Sequence, residues 1–370
     1  MLQKIRNFLR FQDKRTQVGF ALVLLAVIGY AAYQTGVAVW SAQLKDAAGE
    51  ALERHDYEEA SKLLAKSLVL RPHDPSALLM AAQTARRRAD FAEAVRLMRL
   101  AEKNNVPVDA LDMEWQLLYI QQGDLKEVAR FARFCEQNPD GPESAEPLAA
   151  IIEGSLRASN AALANWSVDL WLKYRTRKFD QAQGFVWRGR TNFMFHKQFP
   201  LPKTDFLQAL ELAPDHFQAR LWLATWLIGD EPRAALPHVD WLRRHYPKDT
   251  LVGIQTARLA RNLGQPDEAA RLLDDLLATD PPHKASALME RARVSLDLNR
   301  HDEAEQFALK AQRLAPNHRE PLLLMAECLR RMNRPDQAKL YLDRVQEIDS
   351  MGTKGTEETK KLNLFEKKGS

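Results

Sequence analysis

The feature that most constrains this chain is an alanine that recurs at a nearly fixed interval within similar stretches of sequence. It stands at Ala60 and Ala94, is replaced by Val128, and returns at Ala235, Ala269, Ala304 and Ala338, with spacings of 34, 34, 34, 35 and 34 residues inside the two runs. Self-similarity at a period of about 20–50 residues marks a repeat array, because one such unit cannot bury its apolar face alone. The chain is therefore expected to stack copies of one supersecondary unit.

Each unit is predicted to be a pair of helices. Ala, Leu, Arg and Glu dominate the composition and glycine is scarce, which favours helix because straight-chain residues lose little rotamer freedom there. A small residue recurs in the first helix of each unit, at Ala48, Ala82, Ala257, Ala292 and Ala326, and proline closes the second, at Pro72, Pro247, Pro281 and Pro316. Small residues let two helices approach closely, and proline stops a helix.

This pattern resembles the tetratricopeptide-repeat (TPR) family, which has small residues at positions 8, 20 and 27, an apolar residue at 24 and proline at 32 of its 34-residue unit. The match is clear over 41–142 and 216–350 and degenerate over 143–215. The resemblance implies an all-α, right-handed helical-hairpin solenoid of about nine units, two of them weak. In the degenerate stretch we expect helices near 144–158 and 160–174, and an insertion at 175–182.

An uncharged stretch near the N-terminus predicts a membrane anchor. Residues 18–40 contain no charged side chain, and at ~1.5 Å per residue they span a hydrocarbon core of ~30 Å. A cleavable signal peptide is the alternative, but its apolar core is usually only about 7–15 residues long. A retained transmembrane helix is the preferred interpretation, with Trp40 as an interfacial anchor.

The charges around this stretch predict its orientation. Residues 1–17 carry five Lys or Arg and one Asp, whereas the residues after the stretch are acidic on balance. Cationic flanks stay in the cytoplasm, so 1–17 is predicted to be a basic cytoplasmic leader. The repeats are then predicted to lie outside the cytoplasm, in the periplasm if the membrane is a bacterial inner membrane. Residues 351–370 lack helical apolar spacing and are predicted to form a mobile tail.

The resemblance also implies where a partner binds. TPR arrays hold peptides on the concave face through positions 2, 5, 9, 12 and 13 of the first helix. Arginines occupy positions of this set, at Arg86, Arg87, Arg258, Arg261, Arg293, Arg330 and Arg331. Guanidinium groups suit carboxylates, which favours an acidic segment or a free C-terminus as the ligand. The alternative is that these arginines are solvated or paired with Glu290, Asp297 and Glu327.

Aromatic residues offer a second candidate surface. Six of the eight tryptophans lie between residues 166 and 241, and Trp187, Trp222 and Trp226 are the members singled out. They either fill the spaces left by imperfect repeats or form an anchor pocket for apolar side chains of a partner. The sequence leaves both interpretations open.

Several classes of function are disfavoured. No HExxH, GxSxG, GxxxxGK[ST] or GxGxxG motif is present, so an enzyme, a cofactor and a small-molecule substrate are not expected. The two cysteines form no CxxC pair, so no metal site is expected. Residues 18–350 have 43 Lys or Arg against 45 Asp or Glu, which argues against nucleic acid as a partner.

The combined prediction is a single-pass, membrane-anchored scaffold or adaptor. It would bind proteins or peptides, and contact the lipid bilayer through residues 18–40. Envelope assembly, secretion or regulation of a membrane complex are the expected settings. The alternative is a substrate-docking accessory subunit of an enzyme or maturation machinery, of the cytochrome-assembly or pilus-assembly type.

Overall fold

The computed structural model describes residues 14–196, 201–316 and 318–361, and within these ranges it contains helices and no strand. The α-helices are α1 Lys14–Glu53, α2 Tyr57–Leu70, α3 Pro75–Arg87, α4 Phe91–Glu102, α5 Val108–Gln121, α6 Val128–Gln137, α7 Ala145–Arg157, α8 Ala161–Tyr174, α9 Lys178–Thr191, α10 Leu201–Leu212, α11 Phe217–Asp230, α12 Pro232–His245, α13 Thr250–Asn262, α14 Pro266–Leu277, α15 Lys284–Asp297, α16 His301–Leu314, α17 Arg319–Arg331 and α18 Pro335–Lys361. They follow one another as hairpins, from α1 with α2 to α17 with α18. The predicted all-α fold is confirmed.

The recurring alanine marks the contact between the two helices of a hairpin. Ala60, Ala94, Ala269, Ala304 and Ala338 are each 0–1% exposed, and each lies in the first turns of a second helix. The small residue of the first helix is buried as well, as Ala257 and Ala292 show at 0%. A methyl group at both places lets the helix axes come close, and the larger apolar side chains fill the space on either side.

The turn inside a hairpin has its own local signal. A residue with positive φ follows the first helix in seven hairpins of the described chain, at His55, Ala89, Gly123, Ser159, Gly264, Asn299 and Asn333. This left-handed conformation ends the helix and reverses the chain. Only two of the seven are glycine, so the turns could not be located from glycine in the sequence.

Contacts divide the chain into two compact units, which are described separately. Unit 1 comprises residues 1–53 and 57–111, and unit 2 comprises residues 54–56 and 112–370. Unit 1 holds the first two hairpins. Unit 2 holds the aromatic hairpins and the regular hairpins that follow them. The predicted domain boundaries at 142/143 and 215/216 both fall inside unit 2 and stay predictions.

The first helix combines the predicted membrane stretch with the first repeat. α1 runs for 40 residues without a break, and residues 18–36 along it are exposed. Burial against α2 begins at Ser41, one residue after Trp40. Among the residues that the structure describes, one helix, over Val18–Glu53, is long and apolar enough to cross a membrane, by length and composition. Residues 1–13 of the predicted basic leader lie outside the described residues.

The middle hairpins differ from the sequence prediction at one point. α7 and α8 lie where helices were predicted, but residues 178–182, predicted to be part of an insertion, form the first turns of α9. Two bonds bind this turn to α8: the Trp171 indole N–H donates to the Asp180 carbonyl oxygen at 2.7 Å, and the Gln181 amide donates to the Leu172 carbonyl oxygen at 2.8 Å. The first helix of this hairpin therefore begins at Lys178, inside the stretch that was predicted to be an insertion.

The last helix extends past the predicted end of the array. α18 continues to Lys361, eleven residues beyond residue 350. Residues 362–370 of the predicted tail lie outside the described residues, and the mobility of the tail stays a prediction.

Candidate partner-binding site

The predicted inner-face arginines converge on one carboxylate in unit 2. α13 and α15 are the first helices of successive hairpins and pack against each other. α13 supplies Arg258 and Arg261, and α15 supplies Glu290 and Arg293. Because positions three and four apart share a helix face, each pair points to the same side of its helix. We call these four residues, with Asp297 of α15, the Glu290 cluster.

Short contacts hold the cluster together. The Glu290 carboxylate accepts from Arg258 Nε at 3.1 Å, from Arg261 Nε at 2.8 Å and from Arg293 Nη1 at 3.2 Å. Arg261 Nη1 also donates to Asp297 Oδ2 at 3.0 Å. Charge-assisted bonds of this kind are stronger than neutral ones. The alternative that the sequence left open, pairing with Glu290 and Asp297, is what the structure shows for Arg258, Arg261 and Arg293, and their binding of a partner stays a prediction.

The electrostatics of the cluster favour anions. Glu290 is 0% exposed, and burial alone would raise its pKa, but the charges of Arg258, Arg261 and Arg293 outweigh burial and hold that pKa below the ordinary value. The carboxylate is therefore ionised at neutral pH. Three guanidinium groups face two carboxylates, which leaves one positive charge in excess.

The arginines keep donors for a ligand. Their side chains are 26%, 21% and 34% exposed, in the order Arg258, Arg261 and Arg293. Nη2 of each has no hydrogen-bond partner among the described residues, and Arg293 Nε has none either. Glu290 therefore orients three guanidinium groups without saturating them. An acceptor-rich anion, such as a carboxylate, could bind to the donors that remain.

The other predicted arginines occupy different environments. Arg331 pairs with Glu327 at 3.2 Å on the exposed surface of α17, and Arg330 is exposed beside it with no ion pair among the described residues. In unit 1, Arg86 is 1% exposed, which leaves no surface for a partner. Arg87 lies over the Tyr57 ring at 5.9 Å. The structure groups Arg258, Arg261 and Arg293, and it does not add Arg330 and Arg331 to the same cluster of bonds.

The predicted aromatic residues lie mainly in the core. Trp187 and Trp226 are 2% and 7% exposed. The Trp187 ring meets the Trp171 ring edge-on at 4.8 Å, and its N–H donates to Glu153 Oε1 at 2.8 Å. Trp222 is partly buried, with the Arg190 guanidinium 4.9 Å from its ring. A partner could reach the Trp187 and Trp226 rings only if the hairpins opened.

Sequence reasoning missed a second buried charge network. Arg291 of α15 is 3% exposed and donates to Asp274 Oδ1 of α14 at 2.7 Å and to Glu303 Oε1 of α16 at 3.0 Å. It joins neighbouring hairpins on a different face of α15 from the Glu290 cluster, because consecutive helix residues lie about 100° apart around the axis. Arg291 was not recognised because its position is not one of those that the family uses for ligands.

Other chemistry has little support in the described residues. No group of three or more His, Cys, Asp or Glu is placed to hold a metal ion in the part of the chain that the structure describes. Burial raises the pKa of the Cys135 thiol to about 12 and that of Cys328 to about 11, so both thiols are protonated at neutral pH. Neither is therefore a ready nucleophile.

Comparison with known families identifies the C-terminal repeats. Residues 254–319 and 322–349 match two family models, both described as "Tetratricopeptide repeat". The first match contains the whole Glu290 cluster. No curated protein sequence matches the chain.

Solved structures with similar folds include several TPR proteins. A human IFIT1 dimer with PPP-AAAA aligns with 17% identity over 73% of this chain and 67% of that chain, with a TM-score of 0.50. A tetratricopeptide repeat protein from Parabacteroides merdae aligns with 14% identity over 78% and 99% of the two chains, with a TM-score of 0.41. Yeast Tom70 aligns with 14% identity over 99% and 98%, with a TM-score of 0.38. At these identities the likeness concerns the fold alone.

Proposed function

Because the chain is a tetratricopeptide-repeat protein, we propose that it is a membrane-anchored scaffold that binds an acidic protein segment at the Glu290 cluster. The observation that carries this proposal is the set of three arginines held around one buried carboxylate, with donors left over. The cluster carries one positive charge that its two carboxylates do not balance, which favours the binding of an added anion. The ligand is a run of Asp and Glu or a free C-terminal carboxylate, whose oxygens pair with the free donors of Arg258 and Arg293.

The anchor is the other half of the proposal. The apolar part of α1 is exposed over residues 18–36, and an exposed apolar surface of this length is unfavourable in water. A bilayer covers it at the correct thickness. The basic residues before it and the acidic residues after it favour an orientation with the repeats outside the cytoplasm. The scaffold would then recruit its partner on that side of a bacterial inner membrane.

The binding experiment uses the full chain in lipid nanodiscs and synthetic peptides as probes. The peptides are an acidic peptide with a free C-terminus, the same peptide amidated, and a version with Gln in place of Asp and Glu. We expect the acidic peptide to bind best, with an affinity that falls as salt rises, because screening weakens exposed charge pairs. The amidated peptide reports whether the terminal carboxylate contributes.

The variant that tests the site is Arg258→Gln with Arg293→Gln. Reversal of both arginines to Glu is a poorer choice, since it would place two more carboxylates beside the buried Glu290. The Gln variant leaves Arg261 on Glu290 and should reduce the affinity of the acidic peptide about tenfold, or ~1.4 kcal/mol. The matched control is Arg271→Gln with Arg313→Gln, two exposed arginines on the second helices α14 and α16.

Two results would contradict the proposal. One is equal binding of the acidic and the Gln-substituted peptide by the full chain. The other is an equal loss of affinity in the test and control variants, which would show that net charge, rather than the Glu290 cluster, accounts for binding.

A further inference from the structure

The end of α2 lies beside the part of α1 that enters the proposed membrane span. Ser41 of α1 and Ser67 of α2 are both buried, and their hydroxyl oxygens are 2.9 Å apart. The Ser67 hydroxyl also donates to the Ser41 carbonyl oxygen at 3.3 Å. The two helices run in opposite directions, as the helices of one hairpin. These bonds therefore fix which residue of α2 is level with which residue of α1.

The chain continues past Ser67 toward the membrane side of Ser41. At a rise of about 1.5 Å per residue, Val69 lies about 3 Å beyond Ser41, and Arg71 about 6 Å beyond it, which is the level of Val37. The chain turns back at Asp74, whose carboxylate caps α3 and pairs with Lys45 Nζ at 3.0 Å. Lys45 is one helical turn from Ser41 on the side away from the span. Residues 69–73 are thus the segment that reaches the level of Trp40. They are the last two residues of α2 and the three that follow, and we call them the α2–α3 turn.

The exposed side chains of this turn are those that suit the surface of a bilayer. Val69 is 81% exposed, and Arg71 is 50% exposed. On the neighbouring surface of α1, Val39 and Trp40 are 54% and 58% exposed. An apolar side chain and a cation about 3 Å apart along the α1 axis match the change from acyl chain to headgroup, because a long arginine side chain can extend back to the headgroups.

The local charge has one sign. Residues 60–73 contain Lys62, Lys66 and Arg71 and no Asp or Glu. Asp74, the first carboxylate after them, is buried and paired with Lys45 at 3.0 Å, and Arg71 Nη1 lies 3.7 Å from the same carboxylate while half of its side chain stays exposed. Lys and Arg side chains within a Debye length of an anionic leaflet are attracted to it. The surface around the turn is therefore complementary to acidic phospholipids.

We infer that the α2–α3 turn is a second membrane contact, which places Val69 in the headgroup layer and binds anionic phospholipid through Arg71 and Lys66. The inference rests on the proposed anchor, because the level of the turn is defined by the span of α1. It adds that the first hairpin is held at the membrane surface instead of standing free of it. A helix without a break between Trp40 and Ser41 leaves no linker that would let the hairpin move away.

The test places a fluorescent NBD label at three positions of the full chain, in a background without Cys135 and Cys328. Val69→Cys reports on the turn, Leu24→Cys on the span, and Glu59→Cys on the opposite end of α2. The chain is reconstituted in nanodiscs of phosphatidylcholine with phosphatidylglycerol, or of phosphatidylcholine alone. Nitroxide lipids, labelled at the headgroup or along the acyl chain, serve as quenchers.

We expect the headgroup nitroxide to quench the label at 69 and not the label at 59. The acyl-chain nitroxide should quench the label at 24. Quenching at 69 should be stronger with phosphatidylglycerol, and Arg71→Glu should remove that difference, whereas Arg96→Glu, an exposed arginine of α4, should leave it unchanged.

The outcomes separate the turn from the anchor. An unquenched label at 69 beside a quenched label at 24 would overturn the inference and leave the anchor intact. Labels at 24 and 69 that both remain unquenched would overturn the anchor as well. Equal quenching at 69 in the two lipid mixtures would overturn the binding of anionic lipid by the turn.

Discussion

The middle hairpins of unit 2 and its C-terminal hairpins solve the same packing problem with different side chains. From α13 to α18, buried alanines separate the two helices of each hairpin, as Ala269 and Ala304 show at 0% exposure. In the middle, large rings lie against glycine: a Cβ added to Gly189 would meet Phe206 Cε1 at 2.6 Å. Regular spacing is therefore needed in one region, and complementary shapes in the other. Substitution by larger residues should therefore destabilise the C-terminal hairpins, and substitution by smaller residues should destabilise the middle hairpins.

The largest expected effect is that of Trp187→Ala in the middle hairpins. The substitution removes a buried ring, its edge-on contact with Trp171 and its bond to Glu153, and it leaves a cavity. We expect the free energy of unfolding to fall by about 3–5 kcal/mol. Chemical denaturation of the full chain in nanodiscs measures it. Trp115→Ala, at a partly exposed ring that stacks on Tyr119, is the control and should cost less.

A smaller effect is expected from Ala304→Trp in the C-terminal hairpins. Ala304 packs within the cluster that includes Ala292 and Ala326, where no space is left for a ring. Overpacking should lower the free energy of unfolding by about 1–3 kcal/mol or more. Lys310→Trp, on an exposed face of the same helix, should have little effect. An Ala304→Trp variant that unfolds like the parent would show that the 34-residue register is wrong.

These two regions also explain how far sequence reasoning could go. The contact between helices depends on residue size at a fixed spacing, so the alanines alone predicted the C-terminal hairpins. In the middle, Trp171 fixes the start of α9 by a bond to a backbone carbonyl oxygen at Asp180, and no pattern of side chains records such a bond. The start of this helix was therefore misplaced.

The candidate site was predictable in part for a related reason. Register placed Arg258, Arg261 and Arg293 on first helices, and it placed Glu290 near them. It could not show that all three share one carboxylate, because that depends on how closely α13 and α15 pack. The burial of Arg86 could not be predicted for the same reason. Register shows on which helix face a residue lies, but it does not show how much of the side chain neighbouring helices cover.

Glu290→Gln should have a moderate effect on stability. The amide cannot balance the three arginines, so we expect a loss of about 1–2 kcal/mol at neutral pH. Because the folded state lowers the pKa of Glu290, its contribution is present above the unfolded pKa of about 4.3 and is lost as the pH falls through the lower folded pKa. The difference between variant and parent should therefore vanish in acid. A difference that persisted there would have another cause.

The most direct test of the account asks which region of unit 2 a partner touches. A photo-crosslinking amino acid is placed at Arg293, in the Glu290 cluster, or at Phe193, which is 41% exposed beside Trp226 in the aromatic region. Membranes that contain the full chain are irradiated before and after a wash with high salt. We predict a discrete protein adduct from position 293 that is absent when the high-salt wash precedes irradiation. We predict no adduct from position 193. An adduct from position 193 alone would contradict the proposed site and assign binding to the aromatic region.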